Sequence, residues 1–149
     1  MQLKAQISSK QLDKLRRETD AWAKKKKEEV KIVVATSTLG IETAAKRNAP
    51  VGKEIGTGTG GLRAGLHSTF SKDGLGGKVS VDTVDYGPYV EFGTGSLVEV
   101  PEGLKAFALQ FKGQGIREVN LPPQPFLFPA VEEERPKFLD KIRKILRRV

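Results

Sequence analysis

Few residues in this chain have the chemistry to attack, protonate or ligate anything. It has one histidine, His67, and no cysteine, which excludes disulfides, thiolate metal sites and a cysteine nucleophile. His67 has the side chain of a general base, but the surrounding alternation puts it on the polar face of a predicted strand with Arg63 and Thr69. Glu91 stands among Tyr89, Val90 and Phe92. A carboxylate in apolar surroundings can become a raised-pKa acid. With no second carboxylate or nucleophile at a readable spacing, a hydrogen-bonding role in the fold or toward a partner is the better reading. Residues Gly56 to Gly61 contain G-x-G-x-x-G, which cradles a pyrophosphate only after a strand and before a helix. Here a predicted helix and Pro50 precede it and a predicted strand follows, so it reads as a flexible loop. The chain is therefore expected to be non-enzymatic, with no cofactor, no metal and no small-molecule substrate.

The elements that must carry these residues fit one domain spanning 1–149. An N-terminal helix is expected over 8–48. Ser8 and Gln11 match a capping box, in which each side chain satisfies the other residue's backbone N–H. Leu12, Leu15, Thr19, Trp22, Val30, Val33, Ile41, Ala44 and Ala45 then recur mostly at helical spacing. The β-branched run from Val30 to Thr38 and Gly40 weaken the pattern, and a strand at Lys31–Ala35 is the local alternative. Asn48-Ala49-Pro50 ends the element, since the residue before a proline is pushed out of the α region.

A glycine-rich loop over 51–61 leads into a predicted sheet region over 62–121. Leu62, Ala64, Leu66, Ser68 and Phe70 alternate on one face, the turn Ser71–Gly77 follows, and Val79 and Val81 continue the alternation. Asp85 is expected to cap a short helix with Pro88 in its first turn. Phe107, Leu109 and Phe111 suggest a further strand, returning over Ile116 to Leu121 after Gly113-Gln114-Gly115. A C-terminal helix is expected over 129–148, opened by Pro129 and striped by Phe138, Ile142, Ile145 and Val149, with a kink or restart at Pro136. The fold class expected is α+β. Long N- and C-terminal helices pack on an antiparallel sheet of about four strands, and a short helix separates two hairpins.

The net charge of +8 is uneven. There are 12 basic and 6 acidic residues up to Asn48, 7 and 8 from Ala49 to Ala130, and 7 and 4 from Val131 onward. The excess sits on the two predicted helices. Basic helices meet acidic partners or nucleic acid, or are solvated faces. The run Lys24-Lys25-Lys26-Lys27 has no interleaved aromatics and is followed by Glu28 and Glu29, which favours solvent over a base-stacking surface. Contact with DNA is expected to be non-specific at most. No stretch reaches the ~20 apolar residues of a membrane span, and the start Met1-Gln2-Leu3-Lys4 leads into polar sequence without the apolar core of a secretory signal.

Three ordered segments resemble one family. Ala49-Pro50-Val51 with Thr59-Gly60-Gly61-Leu62-Arg63-Ala64 is similar to its "APV-D-TG-x-LR-x-S" segment. Asp82 and Tyr86 through Gly95 are similar to its "YA-x-YVEFGTG" centre, and Gln124 through Ala130 to its "QPFLRPA" segment. The family is that of the tail-component or neck proteins of long-tailed bacteriophages, related to the minor tail protein Z of phage lambda. The resemblance covers roughly Lys31 to the C-terminus. It departs where about six extra residues, near Gly52 to Thr57, split the first segment, where Gly58 replaces the usual acidic residue, and where Phe128 stands in place of a common arginine.

The resemblance implies a structural virion protein at the head–tail junction or tail, made in the host cytoplasm and needed to complete or join the tail. It implies a ring of this chain, hexameric or dodecameric, against head-completion or connector proteins and tail-terminator or tail-tube proteins. The interface candidates are Arg63, Tyr86, Tyr89, Glu91, Phe92, Phe126 and Phe128, since aromatic residues and arginine dominate interface energetics. Core packing is the competing reading for Tyr89, Phe92 and Phe126. Phe128, where a charge is common, is the stronger candidate for a partner contact. The competing function is that of a small, basic, DNA-associated protein.

Overall fold

Helix α1, Ser9–Asn48, is the longest element of the computed structural model, which describes residues 8–51, 60–94, 102–106, 108 and 122–148. Its start is fixed locally. The Ser8 hydroxyl accepts the Gln11 N–H and the Gln11 side chain accepts the Ser8 N–H, forming the capping box. Its end is fixed by the extended Ala49 before Pro50. Between them the β-branched run stays helical, because tertiary burial overrides propensity. Val34, Ser37 and Thr38 are buried, and the Thr38 hydroxyl satisfies itself on the Val34 carbonyl at 2.7 Å. The alternative strand at Lys31–Ala35 does not form.

The rest of the fold corrects the expected sheet. The described residues hold two antiparallel strands rather than about four, and the protein is mostly helical. β1, Leu66–Phe70, pairs with β2, Gly77–Val81, in the register Leu66 with Val81 through Phe70 with Gly77. The alternation that predicted a strand from Leu62 is instead a helical turn, α2, Gly61–Gly65, entered through the left-handed Gly60 (φ 63°). Alternation over so few residues does not separate a strand from one turn of helix whose leucine is buried. The same happens farther on, where Lys105, Ala106 and Ala108 are helical at the start of the expected third strand, after a 3-10 turn at Glu102–Leu104. Ile116 to Leu121, the expected fourth, lies outside the described residues, as do residues 52–59 of the glycine-rich loop.

Helix α3, Gly87–Phe92, has Pro88 in its first turn as expected, but it is capped by Tyr86 without a side-chain bond, so Asp85 is not its cap. Helix α4, Leu127–Arg147, starts two residues before Pro129 and runs through Pro136. The first turns of α4 meet the end of α1. Arg47 Nη2 lies 3.0 Å from Glu133 Oε2, and the buried Glu134 side chain lies over Gly40, where an added Cβ would stand 3.2 Å from its Cδ. From there α4 packs back along α1. The hairpin lies on another side of α1, with Gly77 against Thr38 and Gly74 against Lys31. The core between them is small: Ala44, Ala45, Ala49, Leu62, Leu66, Phe126 and Ala130, with Ile41, Val79, Val81, Val84, Val90 and Leu127 against it. Alanine on both helices permits this close approach.

Candidate functional site

The residues of the second and third motif segments are joined by one carboxylate. Glu91, near the end of α3, is buried (5% exposed) and points at the start of α4. Its Oε2 accepts the N–H groups of Phe126 (2.8 Å) and Leu127 (2.9 Å), and its Oε1 accepts that of Phe128 (2.9 Å). A helix leaves its first N–H groups without intrahelical partners and carries positive charge there. The N-cap residue of α4, Phe126, makes no side-chain cap, and Glu91 caps the helix from another element. The Gln124 N–H also donates to the Val90 carbonyl at 2.8 Å, tying the proline-rich approach to α3. Gly93 ends α3 at φ 70°, a conformation glycine adopts without strain.

Around this knot the aromatic candidates divide. Phe126 is a core residue, 2% exposed, and Phe92 is buried. Phe128 is half-buried, with its ring tilted against Phe92 at a centroid distance of 5.6 Å. Tyr86 and Tyr89 are exposed. The fold thus brings together Glu91, Phe92, Phe126 and Phe128 and leaves the two tyrosines outside. Arg63 is elsewhere: its Nη2 donates to the Ala49 carbonyl at 3.1 Å, beside the end of α1, where a cation suits the helix dipole.

Beside Phe128 lies an open groove of about 200 Å³, with Ile41 and Thr38 of α1 on one side, Gly77 and Val79 of β2 on another, and Leu127, Phe128 and Val131 of α4 on the third. Of these the sequence reading named only Phe128 as a candidate for a partner contact. The others gave no signal, because the groove arises where three elements distant in sequence meet.

His67 is held from both sides of its ring. Its Nε2 lies 2.7 Å from Asp82 Oδ2 and its Nδ1 3.0 Å from the Gly65 carbonyl, so both ring nitrogens are engaged. Among the described residues no group of three or more histidine or acidic side chains is placed to hold a metal ion. The half-buried Glu42 is held below the usual glutamate range, first by the Lys46 ammonium at 2.6 Å and then by Ser68 of β1. The Ser68 hydroxyl also donates to the Thr38 carbonyl of α1 at 3.5 Å. No helix among the described residues is long and apolar enough to cross a membrane.

No family model, curated protein or solved structure matches the chain.

Proposed function

We propose that this protein is a non-enzymatic structural component of a phage virion, acting at the head–tail junction to complete the tail or join it to the filled head. In this reading copies of the chain form a ring against head-completion or connector proteins on one side and tail-terminator or tail-tube proteins on the other. The observation that carries it is Glu91. The glutamate at the centre of Tyr89-Val90-Glu91-Phe92-Gly93 binds the backbone of Phe126, Leu127 and Phe128. Two segments that resemble the neck proteins, about 35 residues apart in sequence, are therefore halves of one device, which gives the pair a physical reason to occur together. The exposed Tyr86 and Tyr89 and the groove beside Phe128 supply surface for neighbours.

The DNA-associated alternative draws on the same basic helices, but part of their charge is already engaged. Lys14, Lys26, Lys31 and Lys46 of α1 sit against Glu18, Glu29, Glu28 and Glu42, and Lys137 and Lys144 of α4 against Glu133 and Asp140. Deleting the gene from its phage tests the proposal. Electron microscopy of lysates should then show DNA-filled heads and polymerised tails but few joined particles. A normal yield of joined particles would sink the assignment.

A further inference from the structure

The first part of α1 stands clear of the other described elements. Residues 8–25 are exposed without interruption, whereas burial along α1 begins at Lys26. The reason is length. From Glu134, which lies over Gly40, α4 rises about 20 Å to Arg147, and antiparallel packing brings it level with about residue 27 of α1. No helix among the described residues lies beside the remaining four to five turns of α1.

That overhang is not polar all round. Leu12, Leu15, Thr19 and Trp22 follow the alternating three- and four-residue spacing of a coiled-coil seam. Leu12, Leu15 and Trp22 are 43%, 58% and 45% exposed. At 3.6 residues per turn the four fall within about a quarter turn of Lys26 and Gly40, the side of α1 that meets α4. The seam between the two helices thus continues past the end of α4, where among the described residues only the α1 side is present. Lys26 marks the boundary, its ammonium 5.9 Å from the Trp22 ring centroid and 3.4 Å from Glu29.

We infer that this overhang is a docking site for an amphipathic helix with acidic flanks, supplied by a different protein and lying in line with α4. The charges beside the stripe decide the class of occupant. Arg16 flanks it on one side and Lys25 on the other, with Lys26 at its inner end. The one flanking acid, Glu18, faces Lys14 at 3.8 Å. Arg143, Arg147 and Arg148 add charge at the end of α4 that the incoming helix would abut. A second copy of this segment carries the same basic excess, Arg16 and Lys25 against the single Glu18, and would add like charge to the seam rather than offset it. An acidic helix neutralises them while its apolar face covers Leu12, Leu15 and Trp22. The inference stands apart from the virion proposal: the overhang can bind a helix whatever assembly the protein serves.

Trp22 is the only tryptophan, so its fluorescence reports this surface alone. The full chain is titrated with a synthetic peptide of about three heptads carrying leucine at the seam positions and glutamate on both flanks, and with its counterpart carrying lysine on the flanks. The glutamate peptide should shift Trp22 emission to the blue and the lysine peptide should not. Leu15→Asp should weaken binding about tenfold or more while leaving the circular dichroism spectrum unchanged. Arg16→Glu with Lys25→Glu should exchange the preference, so that the lysine peptide now binds. No response to either peptide overturns the inference. So does a blue shift that grows with protein concentration alone and coincides with dimers in sedimentation, because the occupant is then a second copy. Equal responses to both peptides overturn the charge argument.

Discussion

Replacing Glu91 tests the central contact most directly. Its carboxylate is buried and accepts three N–H groups at 2.8–2.9 Å. Hydrogen bonds to a charged group contribute about 1.5–3 kcal/mol each, but three on one group are not additive. Removing one side of a buried charged contact costs about 3–5 kcal/mol, and that is the better figure for Glu91→Ala. It leaves the first N–H groups of α4 without partners in a site that water reaches poorly, and it loosens the helix that brings Phe126 and Ala130 to the core. A small domain has about 5–15 kcal/mol in all, so this variant is expected to lose a large share of its stability. Glu91→Gln keeps the shape but has one acceptor oxygen instead of two. Turned toward Phe126 and Leu127, it presents its NH₂ to the Phe128 N–H, and a cost of about 2 kcal/mol is expected. Urea unfolding followed by far-UV circular dichroism measures both, with an unchanged slope showing that the same surface is exposed. The reasoning fails if Glu91→Ala lies within about 1 kcal/mol of the parent protein, or if the glutamine variant is as damaged as the alanine one.

Gly77→Ala should destabilise by about 1–3 kcal/mol in the same assay, because the new Cβ meets the buried Thr38 side chain. Combining it with Thr38→Ala should recover part of the loss, and strictly additive effects would show that the two do not touch. Glu42→Gln should lower stability at neutral pH and flatten its acid dependence. The folded carboxylate is held below its ordinary value of 4.5 by Lys46 and Ser68. Its contribution is therefore in force above that pH and is lost as pH falls through the lower folded value. Urea midpoints across that range check the sign. Phe126→Ala should cost about 3–5 kcal/mol and Phe128→Leu only about 0.5–1.5 kcal/mol, since the first ring is core and the second is half-buried against Phe92. Equal losses would contradict the division of the two rings.

What could be read from the sequence was set by neighbours in the chain. The start of α1 follows from Ser8 and Gln11, three residues apart, and its end from Ala49 before Pro50. Pro88 in the first turn of α3 and the hairpin turned between Ser71 and Gly77 are equally local. Leu62 and Ala108, expected in strands, are helical instead, because alternation over four or five residues is shared by a strand and by a helical turn with one buried side. Leu62 and Ala108 are buried from helical backbone, and nothing within five residues of either announces that.

The sequence by itself determined the absence of thiol chemistry, the uneven charge and the ends of the first helix, because composition and short-range hydrogen bonding need no partner. Tertiary structure alone decided that the β-branched run stays helical, that Glu91 caps a helix beginning about 35 residues later, and that α1 outruns α4. Each of these is a relation between surfaces distant in sequence, and only packing specifies which surface meets which.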